Sequence, residues 1–161
     1  MIRKPGLAAF VYAALLSAMA AGQLASLGRF EDALLGYGVF GAGAESAAVA
    51  VPVVELAVAG GLAIVPARRA AGVLGLAVAL FWAVLAAQAF ARGLELENCG
   101  CFGAYLAQEL RWWVLLEDAE FLLLAWWAGA RTGLPLPLPR FARRRPPGPE
   151  SPRATAASNR P

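Results

Sequence analysis

The sequence predicts an all-α integral membrane protein, a bundle of four transmembrane helices followed by a disordered tail rich in proline and arginine. Three observations lead to this prediction. Hydrophobic residues make up 60% of the 161-residue chain, charged residues make up only 16%, and the apolar residues are gathered into four long runs. A soluble domain carries roughly 25% charged residues, so this chain has more apolar surface than one small soluble core would hide.

The four apolar runs cover residues 7–27, 47–65, 70–91 and 111–130. Each is close to the roughly 20 residues that a helix needs to cross a hydrocarbon core about 30 Å thick. Within lipid, a single segment satisfies its own backbone hydrogen bonds only as a helix. We therefore expect one transmembrane domain of four spans, residues 1–130.

The first run has a second interpretation. Two basic residues precede it, and Ala-Met-Ala at 18–20 fits a signal-peptidase site, so residues 1–20 could be a cleaved signal peptide. The apolar run continues past that site to Leu27, and this favours a retained helix.

The distribution of charge predicts the orientation, because Lys and Arg concentrate in cytoplasmic flanks. The N-terminus, the 66–69 turn and the tail hold most of the basic residues, whereas carboxylates outnumber them in the 28–46 and 92–110 loops. We expect both termini in the cytoplasm and the two acidic loops outside the cell (inner or plasma) membrane. The net charge of +3 is explained by this topology, so the expected partner is the lipid bilayer and not a nucleic acid.

The last segment, residues 131–161, is predicted to be a disordered, basic, cytoplasmic tail. Proline, arginine and serine dominate it, and it has too few apolar residues to form a core. Its arginines are sufficient to fix the topology. A contact with anionic headgroups, worth about 1 kcal/mol for each charge, is the alternative role.

The chain's two cysteines, Cys99 and Cys101, lie one glycine apart in the second outer loop, within ENCGCFG. Disulfides persist outside the cytoplasm. A bridge across one residue closes too short a loop to be a useful staple, and its strain makes it easier to reduce. Gly100 supplies the backbone angles of so tight a turn, and Gly103 those of its exit. The pair is therefore predicted to be an exchangeable dithiol.

Two other interpretations of the pair stay open. The cysteines are inert, or they bind a soft metal such as Cu(I), which thiolates suit. No metal is assigned, because the chain has no histidine and two thiolates alone make a poor zinc site. The missing histidine also removes the usual general base at neutral pH.

Four carboxylates interrupt the apolar runs, namely Glu55 in the second and Glu117, Asp118 and Glu120 in the fourth. A charge inside the bilayer costs several kcal/mol unless it is paired, protonated or near water. For Glu55 a proton relay beside the dithiol and a structural tie between helices stay equally open. A structural role is favoured for the other three, with Arg92 and Arg111 as candidate partners.

Helical spacing separates the carboxylates of the fourth run. Glu117 and Glu120, at i and i+3, share one face, and Asp118 points elsewhere. Two amides, Gln23 and Gln88, are expected to make interhelical hydrogen bonds and not to bind a ligand.

Several segments together resemble the MauE/DoxX family of redox-associated membrane proteins. The similarity lies in GRFEDALLGYGVF at 28–40, PVVELAVAGGLAI at 52–64, ARGLELENCGCFG at 91–103 and the hydrophobic helix that follows. It covers about residues 7–130 and leaves out the tail. The resemblance implies a four-helix membrane protein linked to extracytoplasmic thiol–disulfide chemistry.

The resemblance also assigns individual residues. It makes Cys99 and Cys101 the redox pair, supported by a motif of Arg92, Gly93, Gly100, Phe102 and Gly103. Pro52 and Glu55 match the family's Pro and Glu in the second span. The chain departs from the family at Glu117-Asp118, where relatives often have a basic and an amide residue.

The leading hypothesis is a membrane protein for extracytoplasmic thiol–disulfide exchange or redox-protein maturation, and thus a candidate thiol–disulfide oxidoreductase. Its expected partner is a thioredoxin-like protein or a dehydrogenase subunit, and a quinone is the candidate electron acceptor. The alternatives are a non-catalytic assembly factor or anchor for a secreted redox protein, and a Cu(I)-type carrier. The family includes members without a link to methylamine utilisation, so the resemblance does not imply that substrate.

Overall fold

A computed structural model describes residues 6–131, and this part of the chain is helical with no β-strand. The α-helices within it are α1 (Leu7–Leu24), α2 (Leu27–Gly36), α3 (Ala44–Ala63), α4 (Arg68–Ala91) and α5 (Trp112–Arg131). Short 3-10 turns at Gly41–Gly43 and Val65–Ala67 lead into α3 and α4. The predicted disordered tail lies outside the described residues, apart from residue 131.

Three helical segments are long and apolar enough to cross a membrane: Leu7–Leu24, Gly41–Ala63 and Arg68–Ala91. They confirm an α-helical membrane protein and match the first three predicted spans, although the first helix ends at Leu24 and not at 27. The expected fourth span is the helix α5, but its three carboxylates make it too charged to meet the same criterion. The crossing of α5 stays a prediction.

The four long helices pack side by side in a ring. α1 contacts α3 and α5, and α4 contacts the same two helices from the other side. Alanines occupy many of the buried positions: Ala9, Ala20, Ala48, Ala59, Ala71, Ala79, Ala86 and Ala89. Small residues let apolar helices approach closely, which is how helices associate in lipid. At Gly61 a Cβ atom would lie only 2.8 Å from the Cβ of Ala71.

The α1 helix is part of this core along its whole length. Tyr12, Leu16 and Met19 are buried among the other helices, and the helix continues without a break to Leu24. Whether residues 1–20 are retained stays a prediction.

The helix α2 was not predicted, because its sequence was interpreted only as a charged outer loop. Phe30, Ala33 and Leu34 are buried, and Tyr37 follows them. Their i, i+3, i+4, i+7 spacing is that of an amphipathic helix. The buried face packs on α3 and on the end of α1, which places α2 beside the loop that carries the cysteines.

Gly93 explains how α4 ends before that loop. Its φ of +67° is left-handed, its N–H bonds to the carbonyl of Phe90, and the N–H of Leu94 bonds to the carbonyl of Ala89. This pair of bonds is a Schellman motif, in which glycine is favoured because it has no Cβ. The Arg-Gly of the sequence motif thus turns the chain out of α4.

Candidate functional site

The segment between α4 and α5 folds back on itself and holds both cysteines near its tip. The N–H of Leu110 bonds to the carbonyl of Leu96 (2.9 Å), and the N–H of Cys99 bonds to the carbonyl of Gln108 (2.8 Å). These two bonds tie the outgoing and returning arms together. We call residues 98–104, between the arms, the cysteine loop.

Two consecutive turns shape the cysteine loop. The side chain of Asn98 accepts the N–H of Gly100 (2.9 Å) and donates to the carbonyl of Gly103 (3.0 Å). The N–H of Gly103 bonds to the carbonyl of Gly100. Gly100 and Gly103 have φ values of +82° and +66°, the left-handed conformation that glycine adopts without strain. The tight, glycine-dependent turn predicted around the cysteines is therefore present.

The end of α1 holds the cysteine loop from one side. Gln23 donates to the carbonyl of Cys101 (3.0 Å), and the Ser26 hydroxyl accepts the N–H of Ala104 (3.0 Å). Gly22 lies so close to the loop that a Cβ atom there would overlap the carbonyl of Phe102. The backbone of the dithiol is thus bonded to a membrane helix and not free in solvent.

Tyr37 holds the loop from the side of α2. Its hydroxyl donates to the carbonyl of Cys99 (2.8 Å), and its own carbonyl accepts a hydrogen bond from Arg92 (3.0 Å). Burial, and then the nearby thiols of Cys101 and Cys99, raise the pKa of Tyr37, so the hydroxyl stays protonated and remains a donor. Tyr37 therefore contacts both Arg92 and the backbone of the cysteine loop.

The two cysteines are free thiols in the structure and interact with each other. The interaction with the Cys101 side chain lowers the pKa of Cys99. The same interaction, followed by burial, raises the pKa of Cys101. The contact between the two side chains therefore favours one thiolate within the pair. An activated thiolate beside a second thiol is the arrangement that disulfide exchange uses.

The thiols differ in access. Cys99 is almost completely buried, whereas Cys101 is half-buried and lines a cavity of about 220 Å³ between α1, α4 and α5. Phe102 lies at the same wall. The sulfur that can be reached from the interior of the helix bundle is thus that of Cys101.

The two arginines that were expected to pair with intramembrane carboxylates, Arg92 and Arg111, have other partners. Arg92 bonds to Tyr37 and Gln88, and Arg111 pairs with Glu109 at 2.7 Å, so the predicted pairing of these arginines with intramembrane carboxylates was wrong. Both arginines lie at helix ends where closer acceptors compete for them.

Burial separates the three carboxylates of α5. Glu117 is exposed and accepts from Gln108 (2.9 Å), Glu120 is exposed, and Asp118 is buried. Asp118 thus differs in burial from the two exposed glutamates. All three nevertheless line the same cavity as Cys101.

Glu55 lies at the contact of α3 with α4. It is fully buried, and one of its oxygens accepts a 2.8 Å hydrogen bond from the indole N–H of buried Trp82. The amide of Gln23 adjoins the same carboxyl group. The contact with Trp82 supports the structural interpretation of Glu55, and the contact with Gln23 links it to the residue that holds Cys101.

Sequence reasoning missed several residues of this site: Gly22, Ser26, Tyr37, Trp82, Asn98 and Gln108. One of them left a signal, because Asn two residues before a glycine is typical of an Asx turn. The others act through contacts with residues far away in the chain. Among the residues that the structure describes, no three His, Cys, Asp or Glu side chains converge as a metal site.

Fold and site together define a class of protein, an α-helical membrane protein that holds a dithiol in a glycine-containing loop between α4 and α5. The chain belongs to the family described as "Methylamine utilisation protein MauE", whose sequence profile matches residues 5–131. This confirms the resemblance seen in the sequence.

A curated relative is similar over part of this region. The methylamine utilization protein MauE of Paracoccus denitrificans is 37% identical over 92 residues, which cover 57% of this chain and 48% of the relative. The chain therefore matches about half the length of that protein. No solved structure matches the chain significantly.

Proposed function

We propose that the protein is a membrane component of extracytoplasmic thiol–disulfide exchange that serves the maturation of a secreted redox protein. The observation that carries this proposal is geometric: the free thiols Cys99 and Cys101 lie two residues apart in one hydrogen-bonded turn. The interaction between them lowers the pKa of Cys99. The left-handed Gly100 keeps the two sulfur atoms in one tight turn. A structural staple would not need an activated thiolate, and it would close a longer loop.

The proposed topology places the cysteine loop outside the membrane. The basic 66–69 turn and the N-terminal flank support a cytoplasmic location of these segments. With α5 as the fourth span, the cysteine loop lies on the opposite side, where disulfides persist. The name of the family suggests a role in methylamine utilisation. The client that we propose is a dehydrogenase subunit or a thioredoxin-like protein.

Site-directed labelling tests this topology. In a Cys99→Ser/Cys101→Ser background, Tyr105→Cys adds a thiol at an exposed position just after the cysteine loop. Arg69→Cys adds one at an exposed position in the first turn of α4, at the opposite end of that helix. We expect a membrane-impermeant maleimide to label the first in intact cells and the second only after permeabilisation. The reverse pattern would put the dithiol in the cytoplasm and overturn the proposed function.

The second candidate is a non-catalytic assembly factor, favoured by the burial of Cys99 and by the many bonds that fix the loop. The test is complementation of a host that lacks the protein. An exchanger loses its function when both cysteines are replaced by serine, and a scaffold keeps it. The readout is the thiol content of secreted proteins after acid quenching and alkylation, with Ser17→Ala as a matched control on the exposed face of α1.

A further inference from the structure

The cavity beside Cys101 is the one part of the site that dithiol exchange alone does not explain. Its walls are Cys101 and Phe102 from the cysteine loop, Trp82 from α4, and Asp118 and Phe121 from α5. The remaining lining is Leu15, Met19, Val114 and Leu124, with three polar side chains, Gln108, Glu117 and Glu120. A thiol at the wall of a mostly apolar cavity between helices is placed to react with a lipid-soluble molecule.

Asp118 is the buried carboxylate in the wall of this cavity, whereas Glu117 and Glu120 are exposed. Its side chain is only 8% exposed, and its Oδ2 atom has no hydrogen-bond partner. A buried carboxyl oxygen without a partner is costly. The carboxyl group of Asp118 can bind a ligand whose oxygen is a carbonyl when oxidised and a hydroxyl when reduced. In its protonated form Asp118 can donate to the carbonyl, and in its ionised form it can accept from the hydroxyl.

The size of the cavity limits the ligand further. Pockets for drug-sized ligands measure roughly 300–1,000 Å³, so about 220 Å³ holds a single ring and not a flavin or a nicotinamide dinucleotide. The oxidation of two thiols to a disulfide releases two electrons and two protons. A quinone ring takes up both, and its isoprenoid tail can leave the cavity between the helices.

We propose that this cavity binds the ring of a membrane quinone and that Cys101 delivers to it the electrons of the dithiol. The inference rests on the proposed function, since the dithiol must first be reduced by a client. It assigns Cys101 to the quinone side of the exchange and Asp118 to proton transfer at a quinone oxygen.

The reaction balances as follows. The Cys101 sulfur adds to a ring carbon while its proton passes to Asp118 and then to a quinone oxygen. The Cys99 sulfur next attacks the Cys101 sulfur, an S–S bond forms, the S–C bond breaks, and the bonding pair stays on the ring. The proton of Cys99 reaches the second oxygen. One quinone and two thiols give one hydroquinone and one disulfide.

The electrostatics of the site agree with these roles. The interaction with Cys99, burial, and the charges of Asp118 and Glu55 raise the pKa of Cys101. Asp118 lines the same cavity as Cys101 and is the buried group placed to accept its proton.

The test uses the purified full-length protein in lipid nanodiscs, reduced and freed of reductant, with a short-chain ubiquinone. We expect one quinone reduced for every two thiols lost, measured by quinone absorbance and by thiol alkylation. Asp118→Asn is expected to slow the reaction about 100-fold, the typical contribution of a positioned acid or base. The same substitution at exposed Asp32 on α2 is the control and is expected to leave the rate unchanged.

A second measurement keeps the test valid if Asp118→Asn fails to fold. Ubiquinol of the same chain length cannot accept the electrons, and we expect it to slow the alkylation of Cys101 in the unaltered protein. No protection, or stable thiol–quinone adducts without a disulfide, would overturn the quinone site.

The two proposals fail separately. If the dithiol exchanges with glutathione disulfide but does not reduce ubiquinone, the quinone inference is wrong and the exchange function stands. If it reacts with neither, both are wrong.

Discussion

The side-chain amide of Gln23 donates a hydrogen bond of 3.0 Å to the carbonyl oxygen of Cys101, 78 residues further along the chain. Gln23 is fully buried near the end of α1, and its amide also adjoins Glu55. Trp82 in turn donates to Glu55. A continuous set of polar side chains therefore connects the interior of three membrane helices to the backbone of the dithiol.

Replacement of Gln23 by leucine is expected to loosen the cysteine loop. The carbonyl of Cys101 loses its donor, which costs about 0.5–1.5 kcal/mol in the free energy of unfolding. Alkylation of Cys101 should become faster because the loop opens more often. Ser17→Ala, which removes an exposed hydroxyl from the same helix, should change neither quantity. Unchanged alkylation in Gln23→Leu would show that the bond does not hold the loop.

Gly22→Ala tests the close contact between α1 and the loop. The added methyl group overlaps the carbonyl of Phe102, so the loop must move, at a cost of about 1–3 kcal/mol for overpacking. The control is Gly60→Ala in α3, where a Cβ meets open space and helix propensity favours alanine by up to about 1 kcal/mol. Denaturant unfolding in detergent should show a lower free energy of unfolding for Gly22→Ala and a higher one for Gly60→Ala. Equal effects would contradict the described packing.

Glu55→Gln separates a structural tie from a proton relay. Glutamine keeps an acceptor for the indole of Trp82, so we expect the stability to stay within about 1 kcal/mol and the rate of dithiol exchange to be unchanged. Glu55→Ala leaves the indole N–H without a partner and should cost about 1–3 kcal/mol. A stable Glu55→Gln protein whose exchange rate falls by about 100-fold would instead identify Glu55 as the relay.

The thiol contact predicts a specific pH dependence of alkylation. The Cys101 thiol stabilises the Cys99 thiolate and holds the pKa of Cys99 below the ordinary thiol value of 9.0. As pH rises, Cys99 should therefore react with N-ethylmaleimide at a lower midpoint than an ordinary thiol. In Cys101→Ala the donor is lost, the charged form is less favoured, and the midpoint should move to higher pH.

The serine variant is the matched control for this effect. The hydroxyl of Cys101→Ser can still donate, so its midpoint should lie below that of Cys101→Ala. A midpoint that is the same in all three proteins would contradict the bond between the thiols. Peptide mass spectrometry gives the extent of reaction at Cys99 itself.

The sequence alone was sufficient for the features that depend on local composition. Runs of about 20 apolar residues gave the positions of the membrane helices, because length and hydropathy decide which segments can cross lipid. The left-handed Gly100 and Gly103 followed from the shortness of the turn. The helix α2 was missed because three charged positions, Arg29, Glu31 and Asp32, hide the buried face of a short amphipathic stretch.

The contacts that hold the site could not be predicted in this way. Gln23 and Tyr37 are each more than 60 residues from the cysteines that they bond, so their roles depend on how the helices pack. The same is true of Arg92, whose predicted carboxylate partner is replaced by the carbonyl of Tyr37. Side-chain pairing across a bundle follows from three-dimensional proximity and leaves no periodic trace in the sequence.

The central claim is that Cys99 and Cys101 form an exchangeable bond with each other. The most direct test equilibrates the purified protein in glutathione buffers of increasing oxidised fraction, quenches it with acid, and measures intact and peptide masses. We predict reversible loss of two hydrogens, with both cysteines in one bridged peptide and a two-electron dependence on potential. If the cysteines stay thiols, or accumulate only as separate glutathione adducts across the whole range, the claim is contradicted.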